Sequence, residues 1–157
     1  PPCADYLGLF VEGELAGFVE VFCYAQTCGG YANSPWGDAC DLGAFCEPER
    51  MMHVEAIFVE RRHRRSSGHF ARLYLNAARR YRARGARFAT VLVDASDAYL
   101  VGLYRKIGAR ELCSLSRLPW VAARGIEPGL FVLDLNDAID GRIARRFERS
   151  RPRRSAG

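Results

Sequence analysis

The segment Val54–Tyr74, VEAIFVERRHRRSSGHFARLY, decides how the rest of the chain is read. Val54, Ala56, Phe58 and Val59 form a short β-branched and aromatic run of strand length. Phe70, Leu73, Tyr74, Ala77, Ala78 and Tyr81 then recur three and four residues apart, the spacing of one helix face. Between strand and helix lies a turn carrying Arg61, Arg62, Arg64 and Arg65, and the helix opens on Ser66-Ser67-Gly68. Such a turn leaves the first helical N–H groups unpaired and aligned with the positive end of the helix dipole. Guanidinium forks beside those donors suit a phosphate, so the segment points to a polyphosphate-bearing ligand. A plain solvent-facing β–α connection in an arginine-rich chain is the competing reading.

Working outward, Tyr6–Val11 and Leu15–Phe22 read as strands joined by a tight hairpin over Glu12-Gly13-Glu14. The stretch from Tyr24 to Met51 is rich in Gly, Asp, Pro and Asn and far longer than a usual connection. It carries Asp38, Asp41, Glu47 and Glu49 with Tyr31, Trp36 and Phe45, a mixture that suits a cationic, partly apolar ligand or a solvated insertion. Downstream, Gly85 ends the helix and Phe88–Val93 is a buried strand. Asp97 caps a helix over Ala98–Ile107 that Gly108 stops, and Glu111–Leu118 and Gly129–Leu135 add two strands. This order predicts an α/β fold (α+β in its layering) with a mixed, mostly antiparallel central sheet flanked by helices.

With 157 residues, 49% of them hydrophobic and 26% charged, the chain is long enough for one domain with a real core. No apolar run approaches a membrane span and no basic-then-apolar leader precedes Tyr6, so a cytoplasmic protein with no membrane partner is expected. The net charge of +5 comes almost wholly from arginine, Lys106 being the only lysine. Arginine and alanine are abundant throughout, so the charge says little about nucleic acid, and no nucleic-acid partner is expected. Seven arginines fall in the last sixteen residues, which reads as a solvated tail. The organisation is therefore a domain over residues 1–135 and a basic C-terminal tail over 136–157.

Six cysteines are present. Cys23, Cys28, Cys40 and Cys46 are separated by four, eleven and five residues, which does not match two close zinc-binding pairs, and no metal site is expected. A disulfide framework would call for an oxidising compartment, so reduced thiols acting as small apolar residues are the default expectation.

The residues now carry a resemblance to a known family. YLGLFVEGELAGFVEV resembles the second and third strands of the GNAT N-acyltransferases, VEAIFVERRHRRSSGHFARL their fourth strand, pyrophosphate loop and third helix, and DASDAYLVGLYRKIGARE the segment where a strand splays and a helix follows. Aminoglycoside-type N-acetyltransferases are similar in the strand around Glu55. The family's loop reads Arg/Gln-x-x-Gly-x-Gly/Ala. Arg65-Ser66-Ser67-Gly68-His69-Phe70 keeps its Arg and first Gly but has Phe70 where a small residue belongs. A gap-free register puts Ser67 and His69 at the glycine positions instead, and either way one close backbone approach is compromised. Only five residues precede Tyr6, where the family has a strand and two helices; a fragment, a processed form or part of a longer protein is expected.

The resemblance implies acetyl-CoA as co-substrate and a small-molecule primary amine, cationic in character, as acceptor. Cofactor contacts are implied at Ile57, Phe58, Val59, Arg64, Arg65, Ser66, Ser67, Gly68, His69, Phe70 and Asp97. Amide formation needs a base to take a proton from the amine and an acid for the departing thiolate. Glu55 is the implied base with Asp94 in reserve, and Tyr104 the implied acid; a half-exposed ion-paired strand residue and a core aromatic are the structural readings of Glu55 and Tyr104. His53 carries no assignment. Two further functions stay open: an acyl-carrier-protein-dependent N-acyl synthase, and a catalytically silent GNAT-like binding module. A homodimer through the late strands, around Leu115 to Trp120, is also implied.

Overall fold

Alternating apolar residues in the first two strands give a hairpin whose turn is set by two residues. Glu12 and Gly13 both have positive φ, at 54° and 86°, the two-residue turn that matches the twist of the flanking strands. In the computed structural model, which describes residues 4–24, 39–64, 68–116, 118, 121 and 126–141, β1 spans Asp5–Val11 and β2 Glu14–Cys23. A single turn of helix, α1 (Leu42–Phe45), precedes β3 (Met51–Val59), followed by α2 (Gly68–Ala83), β4 (Phe88–Asp94) and α3 (Ala98–Lys106). β5 (Arg110–Ser114), β6 (Pro128–Asp134) and α4 (Leu135–Asp140) complete the fold.

The six strands form one sheet in the order β1-β2-β3-β4-β6-β5. Only β3 and β4 run parallel, so the sheet is mixed and mostly antiparallel, as the sequence order predicts. α2 is the helix that the 3.6-residue periodicity of the opening segment describes. Its Leu73, Tyr74, Ala77, Ala78 and Tyr81 are buried against Val19, Val21, Met52 and Val54, forming the main core. A second cluster, which includes Phe22, Tyr24, Leu42, Met51, Leu115 and Leu130, sits on the other face of the sheet.

Three details depart from the pattern reading. The strand expected over Glu111–Leu118 ends at Ser114, where the Ser114 and Ser116 hydroxyls bond each other at 2.7 Å. Leu115 is fully buried in the second cluster and is therefore not an exposed dimer contact. The expected strand over Gly129–Leu135 gives way at Leu135 to α4, because Asp134 accepts from the Asn136 N–H at 2.8 Å and caps a new helix. α4 buries Leu135, Ala138 and Ile139 in the main core, so packed structure runs on past Leu135, while residues 142–157 of the basic tail lie outside the described residues.

The cysteines are also corrected. Cys40 and Cys113 form a disulfide across 73 residues of sequence, tying the segment before α1 to β5. Spacing cannot reveal that pairing, because the fold alone brings the two Cα atoms to 6.0 Å.

Candidate active site

The site begins with an irregularity in β3. Val21 pairs with Val54, but the next register pair is Glu20 with Ala56, so Glu55 is an extra residue in the strand. Such a bulge bends and twists the strand that carries it. The same point marks the end of parallel pairing, since β3 and β4 pair only from Met51↔Phe88 to Val54↔Val91. Beyond it β3 continues to Val59, held by β2 alone, and β4 continues to Asp94, held by β6 alone. The two strands therefore splay, and the backbone N–H and C=O groups of β3 that would face β4 are left without a strand partner.

Gly17 permits this arrangement. A Cβ there would sit 2.5 Å from the Phe58 carbonyl oxygen, so only glycine lets β2 lie this close to the end of β3.

A pocket of about 610 Å³ opens beside the splayed strand. Ile57, Phe58 and Val59 form one wall, Phe70, Ala71, Tyr74 and Leu75 of α2 a second, and Leu100 and Leu103 of α3 with Ile107 just after it a third. Arg64 and Lys106 bring positive charge to this largely apolar lining. Arg64 is anchored through Nε to the Val59 carbonyl at 2.7 Å, with its guanidinium 5.7 Å from the Phe58 ring centre. The N-terminus of the sixteen-residue α2 adds donors and its dipole at the same end.

Of the expected cofactor residues, Ile57, Phe58, Val59, Arg64 and Phe70 line the pocket. Gly68 and His69 open α2, and His69 Nδ1 lies 3.2 Å from the His63 carbonyl. Arg65, Ser66 and Ser67 lie outside the described residues. Asp97 is engaged as a helix cap, accepting the Leu100 N–H at 2.9 Å. Arg62 is neutralised by Glu14 and Glu60, which removes one of the four turn arginines from the pool of phosphate ligands.

The implied catalytic groups are placed differently from one another. Glu55 is half exposed, and its Oε2 lies 3.4 Å from His53 Nε2. The facing His53 ring outweighs partial burial and holds the Glu55 carboxyl below its ordinary range. Asp94 is tied into the turn after β4, where its Oδ1 accepts from both the Ser96 N–H and hydroxyl, which depress its pKa. Tyr104 is buried in the main core and does not line the pocket; burial pushes its hydroxyl up to about 12.

Two residues that sequence reasoning missed stand out. Tyr74 lines the pocket, and its buried hydroxyl has no hydrogen-bond partner among the described residues. Burial, then its neighbour Tyr104, pushes the Tyr74 hydroxyl upward, so it stays protonated and able to donate. Its signal, a tyrosine on the core-facing stripe of a helix, is indistinguishable from packing in the sequence. The other is His53, fully buried between Phe22, Tyr24 and Thr90.

No protein-family model and no curated protein matches the sequence. Solved structures do. Nourseothricin acetyltransferase is 24% identical, with a TM-score of 0.54 over 79% of this chain and 60% of its own. A GNAT-family acetyltransferase from Streptococcus pneumoniae is 17% identical, with a TM-score of 0.54 over 83% of this chain and 66% of its own. A Salmonella typhimurium protein solved with its cofactor acetyl-CoA is 12% identical, with a TM-score of 0.55 over 84% of this chain and 65% of its own. The chain thus spans about three fifths of the nourseothricin acetyltransferase structure. Strand order, the bulge and splay of β3, and these likenesses agree: the fold is that of the GNAT acetyltransferases.

Proposed function

We propose that this chain transfers an acetyl or other short acyl group from acyl-CoA to a primary amine by direct attack within a ternary complex. The observation that carries the reading is the splayed β3–β4 pair opening beside a mainly apolar pocket at the N-terminus of α2. The residues suit acetyl-CoA: free strand backbone and an apolar wall for its arm, a guanidinium and a helix N-terminus for its phosphates, and an unpartnered Tyr74 hydroxyl as a further donor. Bound acetyl-CoA would supply an activated thioester carbonyl.

The chain's own groups would manage the protons. Glu55, ionised and at the opening of the splay, would take a proton from the attacking amine. As the new C–N bond forms, the C–S bond breaks and the departing sulfur needs a proton. Tyr104 remains the proposed source, its raised pKa keeping it protonated until that moment. Because it lies behind the pocket lining, its proton would pass by way of the hydroxyl of the neighbouring Tyr74, which lines the pocket. Asp94 stays in reserve, since the turn holds its carboxylate.

A cationic amine fits the face around Glu55, where Glu20 adds a second carboxylate and Tyr6, Phe18 and Phe58 form a row of rings, with Phe18 6.4 Å from Tyr6 and 5.8 Å from Phe58. A homodimer would use the open edge of β5, the outer strand of the sheet.

The test is a melting titration with acetyl-CoA. A saturable rise supports the reading, because a ligand of the native state stabilises by mass action. A folded protein whose melting temperature does not move with acetyl-CoA overturns it, and a rise with carrier-bound or long-chain donors alone redirects it to an N-acyl synthase.

A further inference from the structure

His53 lies on β3 two residues before Glu55, and its side chain is wholly removed from solvent. On one side of the ring, Nδ1 is 2.8 Å from Thr90 Oγ1 of β4 and 3.2 Å from the Tyr24 hydroxyl, which itself lies 2.7 Å from Thr90 Oγ1. On the other side, Nε2 is 3.4 Å from Glu55 Oε2. The chain of contacts runs from a hydroxyl pair in the second core, through a ring packed against Phe22 at 5.1 Å, to a carboxylate at the surface.

Charge decides the direction of the protons. A lone pair on Nε2 would face and repel a carboxylate 3.4 Å away, whereas an Nε2–H presents a positive edge to it. Nδ1 must then accept, and both its neighbours are hydroxyls able to donate, Thr90 Oγ1 lying nearer to Nδ1, at 2.8 Å, than to its other acceptor, the Met52 carbonyl, at 3.4 Å. Burial keeps the ring neutral, so one proton serves Nε2 and none is left for Nδ1.

We propose that His53 is a positioning residue for Glu55: the Tyr24–Thr90 hydroxyl pair selects the Nε2–H tautomer, and that N–H, 3.4 Å from Oε2, presents its positive edge to the Glu55 carboxylate where β3 leaves β4. The groups around Glu55 sharpen the assignment. Glu20 on β2 carries like charge and would disfavour a second carboxylate, and its Oε1 is engaged by the Tyr6 hydroxyl of β1 at 2.7 Å. His53 therefore supplies the favourable polar contact to the Glu55 carboxylate, at 3.4 Å and short of full hydrogen-bond geometry. This role rests on the reading of Glu55 as the base, but its physical content is independent of catalysis.

The experiment is NMR on the intact protein with ¹⁵N-labelled imidazoles and ¹³C-labelled glutamate carboxyls. The expected wild-type ring is protonated at Nε2, and an Nδ1-protonated ring overturns the proposal without any variant. Gln at 53 keeps a donor near the Nε2 position, whereas Asn keeps a polar group only near Nδ1. His53→Asn should therefore raise the Glu55 titration toward the ordinary carboxylate range, while His53→Gln should leave it low. Equal titration of Glu55 in wild type and His53→Asn overturns the proposal. Thr90→Val, which removes a hydroxyl but not the ring, should weaken the Nε2–H preference and move Glu55 in the same direction as His53→Asn; an unchanged tautomer and titration count against it. Failure of acetyl-CoA to shift the melting temperature would sink the acyltransferase reading while leaving these results standing.

Discussion

The two halves of β3 behave as two different strands. From Met52 to Val54 the chain is paired on both edges, and from Met51 to Val54 every side chain is buried. From Glu55 to Val59 it is paired on one edge only, partly exposed, and lines a pocket. One inserted residue, Glu55, separates them. A strand ceases to be purely structural where a bulge releases its backbone groups, and the side chains on either side of that point take on different work.

This contrast can be broken most directly in its buried half. Met52→Ala removes a fully buried side chain and should destabilise the protein by about 2–5 kcal/mol in urea unfolding. Phe58→Ala, at 44% exposure beyond the bulge, should cost about 1 kcal/mol or less, and should instead weaken acetyl-CoA in calorimetry. Similar losses of stability for the two variants would erase the distinction.

Arg64→Ala should lower acetyl-CoA affinity by about tenfold, or about 1.4 kcal/mol, with little change in the melting temperature of the free protein. Retained affinity would remove Arg64 from the phosphate end of the pocket.

Tyr74→Phe carries opposite signs in its two readouts. Deleting an unpartnered buried hydroxyl should stabilise the free protein by up to about 1 kcal/mol, while binding of acetyl-CoA should weaken if that hydroxyl donates to it. Loss of stability in the free protein would mean that the hydroxyl already has a partner.

The smallest effect is in pH. His53 has a folded pKa below its ordinary value of 6.5, so just below pH 6.5 the unfolded chain takes a proton that the buried ring refuses. Stability should fall as pH drops from 6.5 toward the folded value, then stop responding to this group. Glu55 has a depressed pKa, so its contribution is present above the ordinary carboxylate value and is lost as pH falls through its lower folded one. His53→Gln should flatten the first slope in melting curves; an unchanged slope would assign it to another group.

Much of this was written locally. The Val54–Val59 run, the helical spacing through Tyr81 and the Asp97 cap became β3, α2 and the start of α3. Pocket residues Ile57, Phe58, Val59, Arg64 and Phe70 were also legible, because a strand–turn–helix motif places its own members together. Local pattern failed where partners come from afar. Strict alternation puts Ala56 on the face of Val54, yet the register pairs Ala56 with Glu20, because the bulge shifts every later residue.

His53 makes the same point at greater range. Its partners Thr90 and Tyr24 lie 37 and 29 residues away, and nothing adjacent in sequence marks it. Arg62 looked like a phosphate ligand until the hairpin brought Glu14 to it across 48 residues. Cys40 and Cys113 carry no mark of pairing in the sequence, and only the placing of β5 beside β6 brings them together. Periodicity and capping reside in neighbouring residues and so establish the elements and their order. The splay, the tautomer of a buried ring and the neutralisation of a charge depend on distances that exist only after the sheet has assembled.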